Sequence, residues 1–165
     1  MIIYEEVLRT FHKEKVKYVI VGGIAVNLLG SLRTTADLDI LVEMSDENLR
    51  KIVTILKGQG YRVKQPVDPM EIANSDTRRD WIEDKNMKAF NFYKKDDLKE
   101  VDIIIESPVT FKEAEGTRIL VKTGDLKLPV ISISNLIKMK QGTGRGVDML
   151  DIKQLREIEI LRRDK

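Results

Sequence analysis

The chain has 165 residues, 42% hydrophobic and 34% charged, with 29 Lys and Arg against 27 Asp and Glu for a net charge of +2. That length suits one domain with a sizeable core, and the balance of charge gives no overall pull toward nucleic acid. The absence of cysteine and the single histidine, His12, exclude a disulfide scaffold and a thiolate metal site and leave no ligand set for zinc.

The N-terminal stretch starts acidic and amphipathic, without the apolar core of a signal peptide. Ile3, Val7, Leu8 and Phe11 fall on one stripe and predict a helix over 3–13. A short buried strand, Tyr18–Val21, follows and ends at Gly22-Gly23; IAVNLLG (24–30) predicts a helix stopped by Gly30. LDILVE (38–43) predicts a second strand. Ser45 or Asp46 caps a helix running to about Lys57, ended by Gly58 and Gly60. YRVKQ reads as a third strand. Residues 65–80, with Pro66 and Pro69, read as a loop holding a short helix, and Trp81 as a core plug. MKAFNFY (87–93) and EVDIIIE (100–106) predict strands joined by a turn at KKDD. A short helix near Phe111 and a hairpin around Gly124-Asp125 come next. The chain closes with SNLIKMK (134–140), a glycine-rich turn QGTGRG, and a helix from about Val147 whose predicted buried stripe is Val147, Leu150, Leu155, Ile158 and Leu161. Met70, Met87, Met139 and Met149 read as core filler. The elements imply a mixed α/β sheet flanked by helices in one domain, 1–165. With no apolar run long enough to span a bilayer, a cytoplasmic location is expected.

Asp37 and Asp39 stand two apart on a strand and so face the same way, while Leu38 and Ile40 turn into the core. Two carboxylates so close repel unless a cation lies between them, and a hard divalent ion suits oxygen ligands. Alone, an Asp-x-Asp also reads as a solvated turn. Gly22-Gly23, after a buried strand and opening a helix, lets backbone N–H groups approach a phosphate; alone it reads equally as a tight turn. It is neither a dinucleotide fingerprint nor a P-loop. Asp102 interrupts the apolar run Val101–Ile105 and needs a partner, which an edge-strand Lys or Arg also supplies. Together, three carboxylates and a phosphate turn are the parts for two-metal phosphoryl or nucleotidyl transfer.

The run VGGIAVNLLGSLRTTADLDILVE resembles the nucleotidyltransferase superfamily with the DNA polymerase beta-like palm fold, and within it the small prokaryotic branch that includes the AbiEii-type toxins. The family's glycine turn and Arg-x-Thr-x-Asp-x-Asp segment match Gly22, Gly23, Arg33, Thr35, Asp37 and Asp39, and its later-strand carboxylate matches Asp102. ISISNLIKMKQGTGRGVDMLDI resembles the family's C-terminal segment, with Lys140, Arg145 and Asp148 as the matching positions. The resemblance covers most of the chain apart from 65–85. One departure is Gly23, where many active members carry Ser. The resemblance implies transfer of a nucleoside monophosphate from an NTP, such as ATP, to an acceptor hydroxyl, with Mg²⁺ or Mn²⁺ held by Asp37, Asp39 and Asp102. Gly22, Gly23, Arg33, Thr35, Lys140 and Arg145 would then bind the nucleotide. An RNA end, a protein hydroxyl and a small molecule all remain open as acceptor. So do a toxin role with a cognate antitoxin and a silent, nucleotide- or partner-binding member of the fold.

Overall fold

The computed structural model describes residues 3–164. A seven-stranded mixed sheet forms its centre, flanked by helices. The chain opens with α1 (Glu5–Lys13) and β1 (Tyr18–Val21), followed by α2 (Gly22–Leu28) and β2 (Asp37–Val42). After α3 (Asp46–Gly58) and the short β3 (Arg62–Val63) come a 3-10 turn (Pro69–Ala73) and α4 (Ser75–Glu83). The hairpin of β4 (Ala89–Lys94) and β5 (Lys99–Ile104) precedes α5 (Phe111–Gly116) and a second hairpin, β6 (Ile119–Thr123) and β7 (Leu126–Val130). The last elements are α6 (Ile133–Lys140) and α7 (Gly146–Arg163).

The strand order is β3-β4-β5-β2-β1-β7-β6. β2 therefore lies mid-sheet, antiparallel to β1 and parallel to β5. Every residue of β1 is buried, the pattern of a strand covered on both faces. α3 begins at Ser45, whose Oγ accepts the Asn48 backbone N–H at 3.2 Å, and buries Leu49, Ile52, Val53 and Leu56. The predicted mixed sheet with flanking helices is borne out, as are the two hairpins.

Three local expectations need correction. Ile3 is exposed, and the stripe of α1 is completed by Tyr4, which is buried because its hydroxyl has backbone partners. The segment after Pro69 is more regular than a loop. Asn74 caps α4 by accepting from the backbone of Asp76 and Thr77, and α4 buries Arg78 and Trp81. Trp81 packs against Phe90 with ring centroids 5.6 Å apart, as a core plug should. In α7, Leu155 is buried and Ile158 packs against the core, but Val147, Leu150 and Leu161 are exposed, and Met149 with them. The buried face of α7 carries Asp148, Asp151, Ile152 and Leu155 instead. Two acids took the inside because cations wait for them there. Among the described residues, no helix is long and apolar enough to cross a membrane.

Candidate active site

Strand pairing sets the acidic cluster. β2 and β5 run parallel with Asp39 opposite Asp102 and Asp37 opposite Glu100. The period of two along each strand then puts all four side chains on one face of the sheet, while Leu38, Ile40, Val101 and Ile103 fill the other and are fully buried. Oxygens of Asp37, Glu100 and Asp102 lie within 4.8 Å of one another. Asp39 borders this trio from the side of the glycine turn. Glu100 has the same parity as Asp102 in the sequence, and that was the signal available to find it.

Burial dominates the electrostatics of the cluster. It pushes the Asp102 carboxyl up to about 8 and the Asp39 carboxyl up to about 6, with repulsion from the neighbouring carboxylates adding to both. Asp37 is raised too, by burial and by Glu100, against an opposing pull from Lys64. The Lys64 ammonium pairs with Glu100. Asn91, opposite Asp102 on β4, donates from Nδ2 to Asp102 Oδ1 at 2.7 Å, and its own Oδ1 accepts from Gln65 Nε2 at 2.8 Å. Tyr4 ties the segment before β2 to β5: its hydroxyl lies against the carbonyls of Ala36 and Glu100, which share its single proton, and accepts the Glu100 N–H at 3.0 Å.

The glycine turn is built around these groups. Gly22 opens α2 at φ +70°, and a Cβ there would stand 2.2 Å from Asp39 Oδ2. At Gly23 a Cβ would stand 2.6 Å from Thr35 Oγ1 and 2.7 Å from Arg33 Nη1. A side chain at position 23 would thus have to displace Arg33 and Thr35, which lie over the bare α-carbon of Gly23.

Lys140 and Arg145 face the same cleft as Asp39, a space of about 220 Å³ also lined by Gly22, Thr143 and Asp148. Lys140 is no solvated lysine: it is 7% exposed, with Nζ 3.2 Å from Asp148 Oδ1 and 2.9 Å from Asp151 Oδ2. Arg145 holds Asp148 Oδ2 at 2.7 Å through Nε while its side chain stays largely exposed, and Thr143 donates to the same oxygen at 2.8 Å. These donors hold the Asp148 carboxyl below the usual range despite its burial. Arg33 reaches across from the segment before β2 and sets Nη1 3.0 Å from Asp151 Oδ2. The structure thus gathers Gly22, Gly23, Arg33, Thr35, Asp37, Asp39 and Asp102 with Lys140 and Arg145 around one region, and adds Glu100 and Asp151 to it.

A comparison with curated proteins returns no match. Among solved structures, the lincosamide antibiotic adenylyltransferase LnuA with lincomycin bound is 20% identical at a TM-score of 0.63, covering 92% of this chain and 93% of that one. ANT(2'')-Ia in complex with adenylyl-2''-tobramycin is 15% identical at a TM-score of 0.56, covering 97% and 92%. The Thermotoga maritima protein TM1012, solved as a candidate nucleotidyltransferase, is 18% identical at a TM-score of 0.55, covering 98% and 89%. These likenesses give the nucleotidyltransferase fold. The family model for aminoglycoside-2''-adenylyltransferase matches residues 4–155, which takes in the acidic cluster, the glycine turn and both C-terminal cations. The chain therefore belongs to the aminoglycoside-2''-adenylyltransferase family and is a nucleotidyltransferase enzyme.

Proposed function

We propose that the protein transfers an adenylyl group from ATP to a hydroxyl of a small, antibiotic-like acceptor. The observation that carries this reading is the convergence of Asp37, Asp39, Glu100 and Asp102 beside a glycine turn, on strands β2 and β5. The family match and the bound molecules of LnuA and ANT(2'')-Ia favour a small-molecule acceptor over an RNA end or a protein, and over a toxin role.

The donor set fits a hard divalent ion: carboxylate oxygens only, three of them within 4.8 Å, with burial and mutual repulsion to be relieved. Asp37, Glu100 and Asp102 would hold such an ion and Asp39 with Asp102 a second. When bound, Mg²⁺ or Mn²⁺ supplies charge stabilisation for an in-line displacement at phosphorus. The chain's own residues do the rest. Gly22 and Gly23 present backbone N–H groups to the β and γ phosphates, and Thr35 adds a hydroxyl beside them. Arg33, Lys140 and Arg145 offset the triphosphate charge from the other side. Asp102, oriented by Asn91, takes the proton of the acceptor hydroxyl. The acceptor oxygen bonds to the α phosphorus, the bond to the bridging oxygen breaks, and pyrophosphate leaves.

Incubation with Mg²⁺ and ATP over a panel of aminoglycosides and lincosamides tests this. The expected products are pyrophosphate and an acceptor heavier by one adenylyl group on mass spectrometry, both lost in Asp39→Ala and Asp102→Ala. A panel that yields no adenylylated small molecule, while a protein or RNA becomes labelled, overturns the acceptor assignment. A protein that binds ATP but releases pyrophosphate to no acceptor in any of these classes is the silent member of the fold.

A further inference from the structure

The cations proposed for the nucleotide come with two buried acids, and an anion-binding site has no electrostatic use for them. Asp151 is 2% exposed and Asp148 1% exposed. Burying a carboxylate is costly unless it is paired. Asp148 is satisfied within its own surroundings by Thr143, Arg145 and Lys140. Asp151 is different, because its two partners come from separate parts of the chain. Its Oδ2 lies 3.0 Å from Arg33 Nη1, in the segment before β2, and 2.9 Å from Lys140 Nζ, at the end of α6. Neither contact has hydrogen-bond alignment, so Oδ2 is held by charge alone.

Arg33 needs such a hold. Residues 31–36 form no helix or strand, and the Arg33 backbone is fixed through its N–H to Asn27 Oδ1 at 3.0 Å. A guanidinium on a long stem would otherwise lose rotamer entropy on meeting a phosphate. It is instead laid over the bare α-carbon of Gly23, and the same Nη1 that lies there is paired with Asp151.

We propose that Asp151 is a positioning residue of the nucleotide site, pinning Arg33 over the glycine turn and Lys140 in the cleft so that both stand ready for the triphosphate. The inference rests on the nucleotide reading above. Geometry and charge predict opposite signs for its removal. Asp151→Asn takes a negative charge away from an anion site, which by itself strengthens nucleotide binding. If positioning governs, affinity falls, because the two cations are no longer held in place.

The test is calorimetric titration of ATP with Mg²⁺ into the unaltered protein, Asp151→Asn, Arg33→Ala and the double variant. The expected result is about a tenfold weaker Kd for Asp151→Asn, the scale of one charge-assisted contact. Arg33→Ala should cost about tenfold in the unaltered protein and less than about twofold once Asp151 is gone, since coupled residues are not additive. A merely structural Asp151 would lower the melting temperature and leave that coupling absent. Unchanged or tighter ATP binding by Asp151→Asn, or a full Arg33→Ala effect in its background, overturns the proposal. If Asp151→Asn does not fold, Asp151→Glu, which keeps the charge and moves it, decides by the same measure: a weakened Kd supports positioning and an unchanged Kd refutes it. An unaltered protein that binds no ATP overturns the nucleotide reading itself, and this inference with it.

Discussion

Gly23 shows how one missing atom shapes a site. The resemblance noted from the sequence sets serine against this position, but here Thr35 Oγ1 and Arg33 Nη1 occupy the space a side chain would need. Gly23→Ser should therefore weaken ATP binding about tenfold, by displacing both residues, and cost about 1–3 kcal/mol in stability through overpacking. Calorimetry and thermal melts check the two halves separately, and a Gly23→Ser protein that binds ATP more tightly would show that Arg33 has room to move. The glycine pair, Arg33, Thr35, Asp37 and Asp39 are legible in the sequence because their spacing is local. Glu100 was visible only as parity with Asp102, and parity does not say that β5 will pair with β2 in the register that sets Glu100 opposite Asp37. Asp151 had no signal at all, since its meaning depends on Arg33 and Lys140 arriving from elsewhere.

Among the elements, α4 and α7 depart furthest from what hydrophobic periodicity predicts, for related reasons. α4 offers few apolar residues, so its pattern is faint. What holds it is Asn74 at its start and Arg78 inside, where the guanidinium donates to the Ile72 carbonyl at 2.7 Å and the Met44 carbonyl at 3.2 Å and pairs with Asp46 at 3.1 Å. Arg78→Ala leaves two carbonyls without their donor and should lower stability by about 3 kcal/mol. ATP affinity below the melting temperature should stay unchanged, because Arg78 lies outside the cleft residues; a large loss of affinity with little loss of stability would contradict this role. In α7 the predicted apolar stripe is only half used: Leu155 and Ile158 pack inward, while its other members do not. The ion pairs of Asp148 and Asp151 with Lys140, Arg145 and Arg33 draw the acidic side of the helix inward beside Leu155 and leave Val147, Leu150 and Leu161 outside. Periodicity weighs apolar area alone, and here a buried charge network outweighs it.

At the scale of the whole molecule, the acidic cluster works against the fold that presents it. The carboxyls of Asp39 and Asp102 are raised to about 6 and about 8, so the folded chain holds protons that the unfolded chain releases near pH 4. Stability contributed by these protons is complete below about pH 4 and is lost as pH rises through about 6 and then about 8. Without divalent ions the melting temperature should therefore decline from about pH 5 to about pH 8.5, and Mg²⁺ should restore more of it at the upper end than at the lower. A melting temperature that rises steadily with pH, or an equal Mg²⁺ effect at both ends, would show that the cluster carries no such load. The pairing of Asp39 with Asp102 across β2 and β5 also fixes when that load is felt. The two strands are far apart in the chain, and α3, β3, α4 and β4 lie between them. During folding the carboxylates remain separated and hydrated until this parallel ladder closes, so the repulsion is postponed to a step that follows much of the local structure. A divalent ion finds its full set of ligands only after that closure. Its stabilisation should accordingly appear as slower unfolding rather than faster folding, making the loaded protein durable in time as well as in equilibrium.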